Sequence, residues 1–454
     1  MTRQALRAGC LLLSLGLLLP QAAQAKVSAE QAAQLNDRLT PFGAERQGDA
    51  GAGIPAWTGG LSQAPAGYGG PGSFHVDPFA GEQPLRVIDA QTQQADAANL
   101  SEGVKALFKA YPQSFKVPVY PSHRSFAAPQ EIYQNTLNNA QQATLAAGGN
   151  GLVGAYAGIP FPLPADGREA IWNHIARWQG RYIDEVAVTA QVTASGSYSV
   201  LRERIQLLSN YYHPQKDAGS LNNQLYAYAS ELLPPSRDVG RALLVHEPID
   251  QVAEPRSAWI YNPGQRRVRR APTLAYDTPI DGIYADDTDM YNGAIDRYDW
   301  TLVGKRNLLV PYHNYAMEQP GRPADELIKP GHLNPELTRW EMHRVWVVEA
   351  TLRAGQRHVH AKRRFYLDED SWYALMVENY DARGELWHVN LAFSKNAYEV
   401  PTIAPVNLVF HDLIARSYTV LGLRNNEKAP RQFLLAAPPE SYFTPGSLRR
   451  KGTQ

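Results

Sequence analysis

From Tyr182 onward, apolar and polar positions alternate with a period of two. Ile183, Glu185, Ala187 and Thr189 fall on one side, Asp184, Val186, Val188 and Ala190 on the other, and one side is the more apolar. That period predicts a half-buried strand. Similar runs recur at Tyr198–Leu208, Gln224–Leu233, Arg241–His246, Ala258–Tyr261, Trp300–Leu309, His343–Leu352, His360–Leu367, Tyr373–Tyr380, Leu386–Ala397 and Tyr418–Leu423. Turn chemistry separates several of them: Ala194-Ser195-Gly196-Ser197, Asn262-Pro263-Gly264, Asp368-Glu369-Asp370-Ser371 and Asp381-Ala382-Arg383-Gly384. Consecutive strands with few helices between them predict one antiparallel meander. A sheet that large curls, and its concave face has to be filled by side chains and loops or by a ligand. Two segments interrupt the pattern. Arg266 to Asn292 starts basic (Arg266, Arg267, Arg269, Arg270) and ends acidic (Asp286, Asp287, Asp289), and Tyr315 to Pro335 is rich in Pro and Gly. Both are expected to be lids or binding loops.

Upstream the pattern is different. Ala147 to Gly180 opens on a glycine cluster, continues through Pro160, Pro162 and Pro164, and becomes helical from Gly167. Ala170, Ile171, His174, Ile175 and Trp178 share one side of that helix, with Gly180 as its expected stop. Lys26 to about Asn99 is polar and irregular, an arm expected to wrap the domain and to be pinned by Trp57 and Phe79. Ser101 caps a short helix to Tyr111, and Pro129 starts a second one running to Ala147. The chain therefore divides into a leader (1–25), an irregular arm with two short helices (26–146) and a curved antiparallel β domain with lid loops (147–454). Residues 26–454 form one structural unit in this reading. The fold class is mainly β (α+β): a large curved antiparallel half-barrel with covering helices and a long irregular N-terminal arm.

The first residues have the layout of a signal peptide: Arg3 and Arg7, an apolar core from Leu11 to Leu19, then Ala23-Gln24-Ala25. Cleavage is expected after Ala25. Cys10 precedes the apolar core, where a lipoprotein cysteine would follow it, and it is the chain's one cysteine. The mature protein therefore relies on its core and has no thiol chemistry. Arg3 and Arg7 fall in the leader, which leaves 42 basic side chains against 44 acidic ones. A near-neutral balance gives no reason to expect nucleic acid as a partner.

The catalytic motifs are absent: no G-x-S-x-G elbow, no H-E-x-x-H, no phosphate-binding loop and no dinucleotide fingerprint. No catalytic residue, cofactor or resident metal is expected. His358 and His360 have a spacing that can chelate, but no third ligand is nearby. Asp287-Thr288-Asp289 resembles part of a calcium loop without its later glutamate. His123-Arg124 and Asn173-His174 are either polar anchors of a site or ties between arm and sheet. The better candidates for a ligand are aromatic. Trp259, Tyr261, Trp300, Trp346, Phe365, Trp372 and Trp387 lie on or beside strands; Tyr156, Phe161, Trp172 and His174 join them from the central stretch. They either line a cavity or form a closed aromatic core, and at this point both remain open.

Several long motifs have a familiar look: GAERQGDAGAGIPAWTGG (43–60), LSEGVKALFKAYP with VPVYPSHRS (100–125), and the stretch 147–180. WIYNPGQRRVRRAP (259–272) and KRRFYLDEDSWYALMVENYDARGELW (362–387) add to them. Together they resemble the Gram-negative family called domain of unknown function 1329 over essentially the whole mature chain. That family is similar to the lipoprotein-carrier group of the periplasm, half-barrels that hold acyl chains in an apolar cavity without altering them. The resemblance implies a periplasmic, non-enzymatic carrier of a lipid or other hydrophobic molecule. Its implied partners are an inner-membrane resistance-nodulation-division transporter and an outer-membrane β-barrel protein. A structural adaptor of an envelope transport complex is the alternative.

Overall fold

The run beginning at Tyr182 forms the strand Tyr182–Val192, and this strand is the seam of the molecule. The computed structural model describes residues 27–271, 276–434 and 436–451. The leader, Cys10 and the cleavage site at Ala25 lie outside the described residues. On one side of the seam run Tyr198–Ser209, Gln224–Leu233, Ala242–Pro248, Ser257–Asn262 and Arg267–Ala271, in spatial order. On its other side lie Ser417–Leu423, Ile403–Asp412, Leu386–Asn396, Ala374–Tyr380, Lys362–Asp368 and Trp340–Leu352, with Tyr298–Pro311 paired to the last. The protein is thus mainly β, built on one large open sheet. Its strands pair antiparallel, apart from a single parallel pairing of Trp340 with Val119 from the arm.

One continuous meander was expected, and the structure has two. After Arg267–Ala271 the chain leaves the sheet, re-enters at the opposite edge and works back until Tyr418 pairs with Val192. Period-two alternation identifies strands but not which strand closes against which. The basic start of the first loop is also a strand: Arg267, Arg269 and Arg270 belong to an edge strand, where charge discourages further pairing. Ile403–Asp412 was not foreseen. Nine of its ten residues are buried, so no alternation shows, and Pro405 sits at a register shift opposite Ser394, where a missing N–H is tolerated.

The helices cover the sheet unequally. Gly167–Ile175 packs on Tyr298–Pro311 and Trp340–Leu352, its N-terminus capped by the Asp166 carboxylate. Gly167 allows that approach, because a Cβ there would lie 2.8 Å from the Thr301 backbone nitrogen. The helix stops at Ile175 rather than near Gly180, and the Arg177 guanidinium takes up the carbonyl of His174 in its last turn. In the arm, Glu102–Ala110 packs against Ala374–Tyr380 and Leu386–Asn396, Gln130–Gln142 follows it, and a short helix not expected from the sequence, Ala29–Ala33, precedes both. The strands from 362 to 412 are therefore largely covered on both faces, while the first half of Tyr298–Pro311 keeps Asp299, Thr301 and Val303 exposed. Glu378 receives the Gly103 N–H of the arm helix at 2.6 Å, while the adjacent Asn379 faces the other way, towards Arg363.

In the half from 182 to 271 only the convex face is sealed. Tyr182, Leu208, Ala227, Ala229, Ala242, Leu244 and Tyr261 are buried there with Phe443 and Leu448, which bracket the start of the C-terminal helix Pro445–Lys451.

Candidate functional site

The concave face of that second half is open. Ile205 and Leu207, Tyr226 and Tyr228, and Leu243 and Val245 alternate with the sealed residues and stay half-exposed. They line a cavity of about 500 Å³. Leu408, Leu421 and Val406 close it from across the seam, and Ile280 and Ile283 close it from above. Half-exposed aliphatic side chains gathered in one concavity are unusual on a surface that has no partner.

The roof comes from the loop between the two meanders. Pro279–Ile280 and Ile283–Tyr284 pair around a two-residue Asp281-Gly282 turn, in which both residues have positive φ. The tip is held by the Thr419 hydroxyl, which donates to the Gly282 carbonyl at 3.1 Å. Glycine is required there: φ is +90° and a Cβ would lie 2.4 Å from Thr419 Oγ1. The root is held by charge. Buried Arg363 donates to Asp286 at 2.6 Å and Asp287 at 2.5 Å, and Arg177 donates to Asp289 at 2.6 Å. The acidic end that resembled a calcium loop is thus the roof's anchor, its carboxylates engaged by guanidinium groups. His174 completes it. Its Nδ1 accepts the Ala374 N–H at 3.1 Å and its Nε2 donates to the Asp289 carbonyl at 3.0 Å, which defines a neutral ring. Burial, then the nearby Arg177, depresses its pKa to about 3.

None of the eleven aromatic and histidine positions singled out from the sequence lines this cavity. Trp259 and Tyr261 face the convex side under the C-terminal helix, with Trp259 against His246. Trp300 and Phe365 stack at 5.6 Å with Tyr291 across both rings. Trp346 stacks on Trp372, whose indole donates to the Phe42 carbonyl at 2.8 Å and so ties the arm. Trp387 stacks on His388 beside the roof's Tyr284. Trp172 donates to the Gly149 carbonyl at 3.0 Å, Phe161 is buried beside Asn173, and the Tyr156 hydroxyl donates to the His213 carbonyl. Large rings fill the half from 298 to 423; the open half is walled by aliphatic side chains and by Tyr226 and Tyr228. Alternation placed those aliphatic positions on strands, but nothing in it distinguishes a filled face from an empty one.

The remaining polar candidates tie elements together. His358 Nε2 lies 3.1 Å from Asp286, and His360 pairs with His388 at 2.9 Å. Arg124 makes a bidentate pair with Asp370 at 2.9 and 2.6 Å, and His123 reaches Glu82 at 2.8 Å. A run the sequence did not reveal joins Ser125 Oγ to His313 (2.6 Å) and His313 to Glu341 (2.7 Å). Burial lowers the pKa of His313, and the serine hydroxyl is itself buried, with the Asn396 amide also on it. The order is that of a nucleophile relay, but the hydroxyl faces protein, and the run fastens arm to sheet.

The sequence model of the family described as protein of unknown function (DUF1329) matches residues 87–449. The chain belongs to this family. It is 43% identical over 463 residues to uncharacterized protein PA3922 of Pseudomonas aeruginosa strain PAO1, covering 100% of this chain and 99% of that one. Among solved structures it is similar to a DUF1329 family protein from Desulfovibrio piger, with a TM-score of 0.41 and 13% identity, covering 60% of this chain and 92% of that one. It is also similar to LolA superfamily protein NE2245 from Nitrosomonas europaea, with a TM-score of 0.37 and 14% identity, covering 62% and 98%.

Proposed function

We propose that this protein is a periplasmic carrier that holds a lipid or other hydrophobic molecule in the cavity under the Pro279–Tyr284 hairpin. The supporting observation is the half-exposed aliphatic wall, Ile205, Leu207, Leu243 and Val245, inside a concavity of about 500 Å³. Withdrawing such a wall from water stabilises a complex by about 25 cal/mol per Å² of apolar surface. No reacting group is required, because the work is burial and release. The leader sequence supports export, and among the described residues no helix is long and apolar enough to cross a membrane. A carrier that loads and unloads also needs partners at both ends, which fits hand-off between an inner-membrane transporter and an outer-membrane β-barrel protein. The non-carrier adaptor reading calls for a filled inner face, and the open wall speaks against it.

Native mass spectrometry of protein purified from the periplasm, followed by solvent extraction, tests the proposal. The expected result is a co-purifying apolar molecule, or uptake of one after delipidation. A clean apo mass with no uptake overturns it.

A further inference from the structure

The cavity is not uniformly apolar, and its charges are not all alike. Most of them are already matched. Glu185 accepts from Arg424 at 2.5 Å and from Arg431 at 2.8 Å, and these pairs hold its pKa at about 2 against the opposing effect of burial. Arg256 is matched by Glu247 at 2.5 Å, and Asp289 by Arg177. Glu203 is different. It stands mid-wall, directly opposite Ala187 on one neighbouring strand and Leu232 on the other, both of which line the cavity. Its hydrogen-bond partner is the neutral Ser230. Among the described residues no lysine or arginine forms an ion pair with it, and the nearby Arg241 lies 3.5 Å from Asp238 instead. Asp281, at the exposed hairpin tip, lines the same cavity, and its charge raises the cost of ionising Glu203. Two carboxyl groups thus line one cavity without an ion-pair partner among the described residues, although Arg241 also lines it. Burial, then Asp281, pushes Glu203 up to about 7.

A charge placed in an apolar wall is costly unless something pairs with it. Resting on the carrier reading above, we propose that Glu203 and Asp281 receive the cationic group of an amphiphile whose hydrocarbon part lies along the aliphatic wall. The ligand class is an ammonium-bearing amphiphile; a fatty acid would set a third carboxylate against these two and is disfavoured.

The test uses displacement of the neutral fluorophore N-phenyl-1-naphthylamine from the purified protein at pH 7. Competitors are dodecylammonium, dodecylphosphocholine, dodecanol and dodecanoate, all below their micellar concentrations. Dodecylammonium should displace the probe at about tenfold lower concentration than dodecanoate, the factor that about 1.4 kcal/mol corresponds to. Dodecylphosphocholine matching it would support the inference and identify a zwitterionic head group as the source of the cation. Glu203→Gln should bring the ammonium-to-carboxylate ratio close to one, with circular dichroism and the thermal midpoint reporting that the fold is retained; Asp281→Asn should do so in part. Equal displacement by all four, or a preference for dodecanoate, overturns this inference and leaves the carrier reading intact. Failure to bind the probe at all overturns both.

Discussion

At the scale of single residues, the charges that hold the roof are its most exposed weakness. Arg363 sits between Asp286 and Asp287 with all three buried, so removing it leaves Asp286 only His358 and Asp287 no ion-pair partner among the described residues. Arg363→Met is expected to lower unfolding free energy by about 3–5 kcal/mol, measured by urea denaturation; a change under about 1 kcal/mol would contradict this account of the root. His174 makes a second prediction. Its folded pKa, about 3, lies below the ordinary 6.5, so the unfolded chain takes up the proton first. Its contribution is fully present above pH 6.5 and is lost as pH falls from there towards 3. His174→Asn should flatten that part of the stability profile; an unchanged acid limb would show that other groups dominate it. Sequence spacing singled out His174 and the Asp286–Asp289 run, and both lie at the site. It gave neither of their roles, because His174, Arg177 and Arg363 are distant in the chain from the Asp286–Asp289 run and meet it only in the fold.

At the scale of elements, the roof hairpin depends on its tip. Gly282 combines a positive φ with contact against Thr419, so Gly282→Val needs both a strained backbone and displacement of the strand residue. Strain of this kind costs about 1–3 kcal/mol. We expect faster amide hydrogen exchange across residues 276–290 and weaker ligand retention, with the sheet strands unaffected. Equal protection of the hairpin in both proteins would contradict the pinning. This element was only partly legible. The sequence marked 266–292 as a lid, but the Asp281-Gly282 hairpin signal was hidden between runs of only two residues each. The strands themselves were read well wherever one face is more exposed than the other, as in Gln224–Leu233. Burial on both faces hid Ile403–Asp412, which carries Pro405, although the equally buried Ala374–Tyr380 was read.

At the scale of the whole molecule, one sheet has two halves with different duties. The half from 298 to 423 is filled by Trp300, Phe365 and Trp372 and clasped by arm and helices; the half from 182 to 271 is backed on its convex face and open on its concave one. Aromatic content drew the sequence reading towards the filled half, because large rings signal burial whether or not a ligand supplies it. The open half is recognisable only once exposure is known. Substitutions there should separate binding from folding: Leu243→Asp lies on a half-exposed wall and should abolish apolar uptake while shifting the thermal midpoint by only a few degrees.

The most direct measurement is photo-crosslinking of the delipidated protein with a diazirine-bearing alkyl chain, followed by peptide mapping. We predict labelling concentrated on Tyr198–Ser209, Gln224–Leu233, Ala242–Pro248 and the Pro279–Tyr284 hairpin, competed away by unlabelled chain. Labelling confined to strands of the 298–423 half, or no labelling above that of the unfolded protein, would contradict the division into a filled half and an open one.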